Sequence, residues 1–159
     1  MKLTKSLWGA IALIALTVSV ASAKPADSAV HVEIDKHGVI LAGYDAVAYF
    51  TQNAAVKGSK EITAQHDGAT YQFSSIENRD LFLANPAKYE PQYGGFCAYG
   101  AALGKKFDVN GKAFEIVDGK LYVNKNEDVY EVWVEDKAEN IDSADQQWTN
   151  IRNVAAKDL

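Results

Sequence analysis

Ile62-Thr63-Ala64-Gln65-His66-Asp67-Gly68-Ala69-Thr70-Tyr71-Gln72-Phe73 is the stretch that decides the fold of this 159-residue chain. Asp-Gly between two extended, alternating runs is the strongest short-range hairpin signal, because both residues tolerate the positive φ that a tight two-residue turn demands. A turn at Asp67-Gly68 pairs His66 with Ala69, Ala64 with Tyr71 and Ile62 with Phe73, which puts these six side chains on one face. That face is the apolar one, so His66 belongs to the core side at the turn end.

A second hairpin follows from Phe114-Glu115-Ile116-Val117, Asp118-Gly119 and Lys120-Leu121-Tyr122-Val123, with Phe114, Ile116, Leu121 and Val123 on one face. Between the hairpins lie short helical signals. Ser74-Ser75-Ile76-Glu77 fits a capping box with Ser74 as the cap, and the helix it opens stops near Asn85-Pro86 with Leu81, Phe82 and Leu83 turned inward. Residues 86–91 make a short turn around Tyr89. Upstream, Gly43-Tyr44-Asp45 reads as a turn between two extended pieces, Val39 to Leu41 and Ala46 to Phe50, with Asp45 as a turn or cap carboxylate. Downstream, Asn126 caps a helix carrying Val129, Val132 and Trp133, and a further helix carries Ile141, Ala144, Trp148 and Ile151. Short helices interleave with hairpins and no long crossover helix alternates with strands. The expected class is therefore α+β, a small antiparallel sheet of hairpins packed with short helices in one compact domain.

Composition agrees with one folded domain. Apolar residues make up 48% and aromatic residues 11%, enough to offset the entropy of ordering the chain. The formal charge is −5, and no Lys/Arg-rich run appears, which argues against nucleic acid and anionic membrane surfaces as partners. Residues 1–23 have the three parts of a secretory signal peptide: Lys2 and Lys5, an apolar run from Leu7 to Val20, and Ala21-Ser22-Ala23. The organisation expected is thus a leader over 1–23, a flexible polar arm over 24–38, and a domain over 39–159 that ends in a helical extension. After leader cleavage no membrane association is expected, and the protein is placed in the periplasm or outside the cell.

Export makes the single cysteine conspicuous. Cys97 has no partner for an internal disulfide, so its thiol is a buried filler, an intermolecular bridge, a redox nucleophile or a metal ligand. Gly94-Gly95 ahead of it allows a tight bend that sets Cys97 in or near the first turn of a short helix, where backbone N–H groups favour a thiolate. His31 and His37 sit in the polar arm and read as solvated, while Tyr44, Tyr49, Tyr71, Phe96 and Tyr99 read as core aromatics.

The order and spacing of several stretches resemble the YHS-domain family, in particular its small exported branch. They are Gly43-Tyr44-Asp45-Ala46-Val47-Ala48-Tyr49-Phe50, His66-Asp67-Gly68-Ala69-Thr70-Tyr71-Gln72-Phe73-Ser74-Ser75, Phe82-Leu83-Ala84-Asn85-Pro86-Ala87-Lys88-Tyr89, Tyr93-Gly94-Gly95-Phe96-Cys97-Ala98 and Ile116-Val117-Asp118-Gly119-Lys120-Leu121-Tyr122. The resemblance implies a compact metal-binding module. It also carries departures. Ser74 and Asn78 stand where the metal-pump type has Cys-x-x-x-Cys, Gly43-Tyr44-Asp45 occupies the neighbourhood of a further cysteine, Gln72 replaces the eponymous histidine, and Ala46 stands for a proline. A four-cysteine zinc site is therefore excluded. Relatives that place selenocysteine at the position matching Cys97 imply soft-metal or redox chemistry there.

The site expected from these readings is mononuclear, built from Cys97, His66 and Asp45, and suited to copper or zinc. It would serve a metal ion or a metal-trafficking protein and be open or shared in a homodimer. A thiol-redox protein with Cys97 as the reactive nucleophile, and a non-catalytic interaction module, are the alternatives. No complete catalytic set is visible, so no reaction is assigned.

Overall fold

The computed structural model describes residues 30–159; the leader and the first part of the arm lie outside the described residues. The fold is α+β, six helices with two separate two-stranded antiparallel sheets. Helix α1 spans Ala46–Thr51; strands β1, Ser59–His66, and β2, Ala69–Phe73, form the first hairpin; α2, Ile76–Ala84, and α3, Pro86–Tyr89, follow. Helix α4, Ala98–Ala102, leads to the second hairpin, β3, Phe114–Val117, and β4, Lys120–Val123, and the chain closes with α5, Glu127–Glu135, and α6, Lys137–Ile151. No helix of the described residues is long and apolar enough to cross a membrane.

Both Asp-Gly turns form as read, with both residues of each at positive φ, 46° and 80° at Asp67 and Gly68 and 50° and 75° at Asp118 and Gly119. The β3–β4 register pairs Phe114 with Val123 and Ile116 with Leu121, as expected. The first hairpin keeps His66 opposite Ala69 and Ala64 opposite Tyr71, but its far end departs: Phe73 pairs with Ser59, not Ile62. Three extra residues bulge out of β1 because the preceding chain tucks against β2. A Cβ on Gly58 would lie 2.4 Å from the Gln72 carbonyl carbon, so only glycine permits that approach.

The stretch from Ala46 to Phe50 is helix, not strand. Asp45 is the reason: its Oδ1 accepts the Val47 and Ala48 N–H groups at 2.9 and 3.2 Å, capping α1. Its Oδ2 accepts from Ser74 N–H at 2.8 Å, Ser74 Oγ at 2.6 Å and Asn78 Nδ2 at 2.7 Å. Ser74 is therefore spoken for, and the cap of α2 moves one residue on, to Ser75, whose hydroxyl accepts from Asn78 N–H. Of the three apolar residues expected to face inward, Phe82 is buried, while Leu81 and Leu83 are 40% and 54% exposed. Val132 of α5 also faces solvent, while Trp133 is fully buried.

Two apolar clusters result. The larger joins Tyr49, Tyr71, Phe73, Phe82, Leu121 and Val123, between the hairpins and α1, α2 and α3. The smaller stacks Tyr93, Tyr122 and Trp133 against Ala98, Ala101 and Ala144, whose small side chains let α4 and α6 approach closely. The described part of the arm is bonded to this body, His31 N–H to the Arg152 carbonyl and Glu33 N–H to that of Gly94, each within 2.9 Å.

Asp45 thus ties α1, β2 and α2 together from a position with no solvent exposure. Asp45→Ala leaves the buried donors of α1 and α2 unpaired and is expected to cost about 3–5 kcal/mol, whereas Ser75→Ala, a simple cap loss, costs about 1 kcal/mol. Urea unfolding of the two variants checks the order.

Candidate functional site

Cys97, His66 and Asp45 do not form one site. Asp45 is consumed by the network just described and presents no oxygen to a ligand. Cys97 does cap α4, following the sharp bend in which Tyr93, Gly94 and Gly95 all adopt positive φ, but its side chain is only 1% exposed. The sulfur accepts the Gly100 N–H at 3.4 Å and its S–H donates to Asn124 Oδ1 at 3.5 Å. Tyr99 N–H donates to the same Oδ1 at 3.1 Å, which fixes the amide with its oxygen toward the sulfur.

That arrangement favours the thiol over the thiolate. Burial pushes the Cys97 pKa up, and it outweighs the opposing pull of the Gly100, Lys125 and Tyr99 backbone groups and of the Lys125 charge. A deprotonated sulfur would also face the lone pairs of Asn124 Oδ1. The expectation of an accessible, ionised sulfur beside an imidazole is corrected accordingly: neither soft-metal ligation by Cys97 and His66 together nor a disulfide between copies has a path to this atom without opening the core.

His66 is placed differently. It ends β1 on the core side, with its ring edge-on to Phe82 at 5.7 Å between centroids and tilted against Tyr71 at 6.2 Å. These contacts orient the imidazole while leaving the side chain 26% exposed. Its Nε2 lies 3.1 Å from Glu90 Oε2 and 3.6 Å from Asp67 Oδ2. Asp67 is delivered by the turn itself, and Glu90 by the end of α3, whose Tyr89 is anchored in the core. Among the described residues, His66, Asp67 and Glu90 are the only group of three or more such side chains whose ligand atoms lie within 4.8 Å of one another.

The three donor atoms lie close enough together to hold a metal ion, and the 3.1 Å separation between His66 Nε2 and Glu90 Oε2 is also that of a hydrogen bond. One nitrogen and two carboxylate oxygens suit zinc better than Cu(I), which prefers sulfur. A cavity of about 250 Å³ opens beside the cluster, bounded by Asp67, Glu90, Tyr71, Gln92 and Trp148, and leaves room for a further ligand.

Of these residues the sequence marked only His66. Asp67 reads there as a turn former, and nothing in Lys88-Tyr89-Glu90-Pro91 shows that α3 folds back toward the hairpin turn.

A second titratable site lies on the arm. The Glu33 carboxyl is pushed up from 4.5 to about 7, first by burial and then by the nearby Asp108 and Asp35 charges, and its Oε2 is buried without a hydrogen-bond partner. The folded chain therefore holds an extra proton between about pH 4.5 and 7, so stability falls as pH rises through that window and levels off above it.

Two outcomes follow from these environments. Glu33→Gln removes the fall and raises the urea midpoint at pH 8 more than at pH 5. The Cys97 thiol of the native protein reacts with a disulfide reagent on the order of a hundredfold or more slowly than a free thiol, and becomes fully reactive in denaturant, since only opening exposes it. No family model, curated protein or solved structure matches the chain.

Proposed function

We propose that this chain is an exported YHS-type module, periplasmic or secreted, that binds and hands on a divalent cation of the zinc type through His66, Asp67 and Glu90. The observation that carries the reading is the convergence of one oriented imidazole and two carboxylates within 4.8 Å. The resemblance to a metal-binding family supports it independently of the geometry. His66 keeps its place as a ligand, Asp67 and Glu90 replace Cys97 and Asp45, and the ligand set becomes oxygen-rich.

Two features fit handling over permanent storage. Asp67 is 76% exposed and Glu90 37%, so the ion sits at the surface, where a partner's ligands reach it. Three protein ligands leave an open position, as in sites that exchange a bound group, whereas structural zinc sites are closed by four. Thiol-redox chemistry at Cys97 has no comparable support, given a sealed and protonated sulfur. A non-catalytic docking module has one observation in its favour, the exposure of Ile76, Leu81 and Leu83 along α2.

Zinc titration by calorimetry tests the proposal. The protein binds one equivalent, and His66→Ala and Glu90→Gln each weaken binding by roughly tenfold or more, the scale of a lost metal ligand or its hydrogen-bonded support. Affinity falls as pH falls, because protons compete for the same donor atoms. Cys97→Ser leaves affinity unchanged. Equal zinc binding by wild type and the His66 and Glu90 variants sinks the reading.

A further inference from the structure

Another cavity lies on the solvent face of the first hairpin. It encloses about 750 Å³, and its walls include Lys57, Lys60, His37, Thr63, Thr70 and Gln72. Its charge runs against that of the chain. In a protein of formal charge −5, two lysines line this hollow, and burial followed by the nearby Lys112 charge lowers the Lys57 pKa. Among the described residues no carboxylate comes within ion-pair distance of Lys57 or Lys60; the ion pairs fall on His66, Arg79 and Lys137. Asp35, the one acidic residue of the wall, is turned to its own loop, where its Oδ1 accepts the His37 and Val39 N–H groups at 2.8 and 2.9 Å.

Lys57 is held in place from below. Its Nζ donates to the Ala42 carbonyl at 2.6 Å and stands 3.9 Å from the centre of the Tyr44 ring. The turn that presents that carbonyl is strained: Leu41, Ala42 and Gly43 take φ of 56°, 50° and 77°, two of them non-glycine residues in the left-handed region. Such strain persists only where the surroundings enforce it. The consequence is an ammonium with donors to spare, fixed by a carbonyl and a ring instead of an opposite charge. Gln72 supplies a neutral counterpart. Its amide packs over Gly43, where a Cβ would come within 2.9 Å of Oε1, and neither it nor the Thr63 hydroxyl makes a hydrogen bond within the described residues.

We propose that this cavity binds a small organic anion bearing two or more carboxylate or phosphate charges, bridged by the Lys57 and Lys60 ammonium groups and hydrogen-bonded by Gln72 and Thr63. The anion supplies a charge partner within ion-pair distance of these lysines, and the hydroxyl and amide on the strand face read the polar body between its charged ends. The site shares no residue with the His66 cluster, so each stands or falls alone.

Citrate, succinate and inorganic phosphate, with mannitol as the neutral control, are titrated into the protein and followed by amide chemical shifts and calorimetry. At least one anion saturates, moving the Thr70 and Gln72 amides, while mannitol moves nothing. The members that bind separate carboxylate from phosphate recognition. Lys60→Gln, at an exposed side chain with no hydrogen bond to lose, weakens binding roughly tenfold, the worth of one hydrogen bond to a charged group, and Lys57→Gln does the same. His66→Ala leaves anion affinity unchanged. Absence of saturation by every anion up to about 10 mM, where even a millimolar site would fill, overturns the proposal, as does full affinity in Lys60→Gln.

Discussion

One buried carboxylate organises the first half of this molecule. Asp45 accepts hydrogen bonds from the start of α1, the end of β2 and the first turn of α2, and the α1 and α2 donors are buried away from water. A carboxylate can satisfy several donors at once because it offers two oxygens and about four lone-pair directions. Ser74 and Asn78 converge on Asp45 from two different elements, so its second oxygen is filled by protein donors alone.

The same reasoning separates the two residues that carry most chemical interest in the sequence. Cys97 and His66 both terminate or cap an element beside a tight turn, yet they end in opposite environments. The sulfur meets an amide oxygen and a backbone N–H, a pair that matches a neutral S–H as donor and acceptor. The imidazole meets two carboxylates at the surface, at 3.1 and 3.6 Å. Local sequence sets the turn in each case. The partner that decides the chemistry arrives from far along the chain, Asn124 for one and Glu90 for the other.

This is why the fold was more legible than the site. Asp67-Gly68 and Asp118-Gly119 encode their turns in two adjacent residues, and Asn85-Pro86 and Asn126 mark helix ends within one turn of chain. Of the misread elements, one depended on an adjacent cap and two on distant partners. Ala46 to Phe50 looks extended until Asp45 is seen as a cap, Ser74 looks like a cap until Asp45 claims it, and the Ile62 pairing looks natural until Gly58 is found against Gln72. A lone histidine could be suspected of ligation from sequence; its two acidic companions could not.

The first hairpin also divides the molecule's charge. Alternation along the strands sends Ala64, His66, Ala69 and Tyr71 to the core side and Thr63, Gln65, Thr70 and Gln72 to the other. The core side delivers His66 to an acidic corner, and the opposite face forms a wall of the basic cavity. Neither patch extends far. Attraction between exposed charges fades over about 8–10 Å in physiological salt, so each patch acts on what comes close to its own face. The register is what keeps them apart: a slip of β1 by one residue would carry His66 to the lysine face and turn Gln65 toward the core beside Tyr71. Asp67-Gly68, by fixing that register, therefore fixes the sign of charge that each face offers to a ligand.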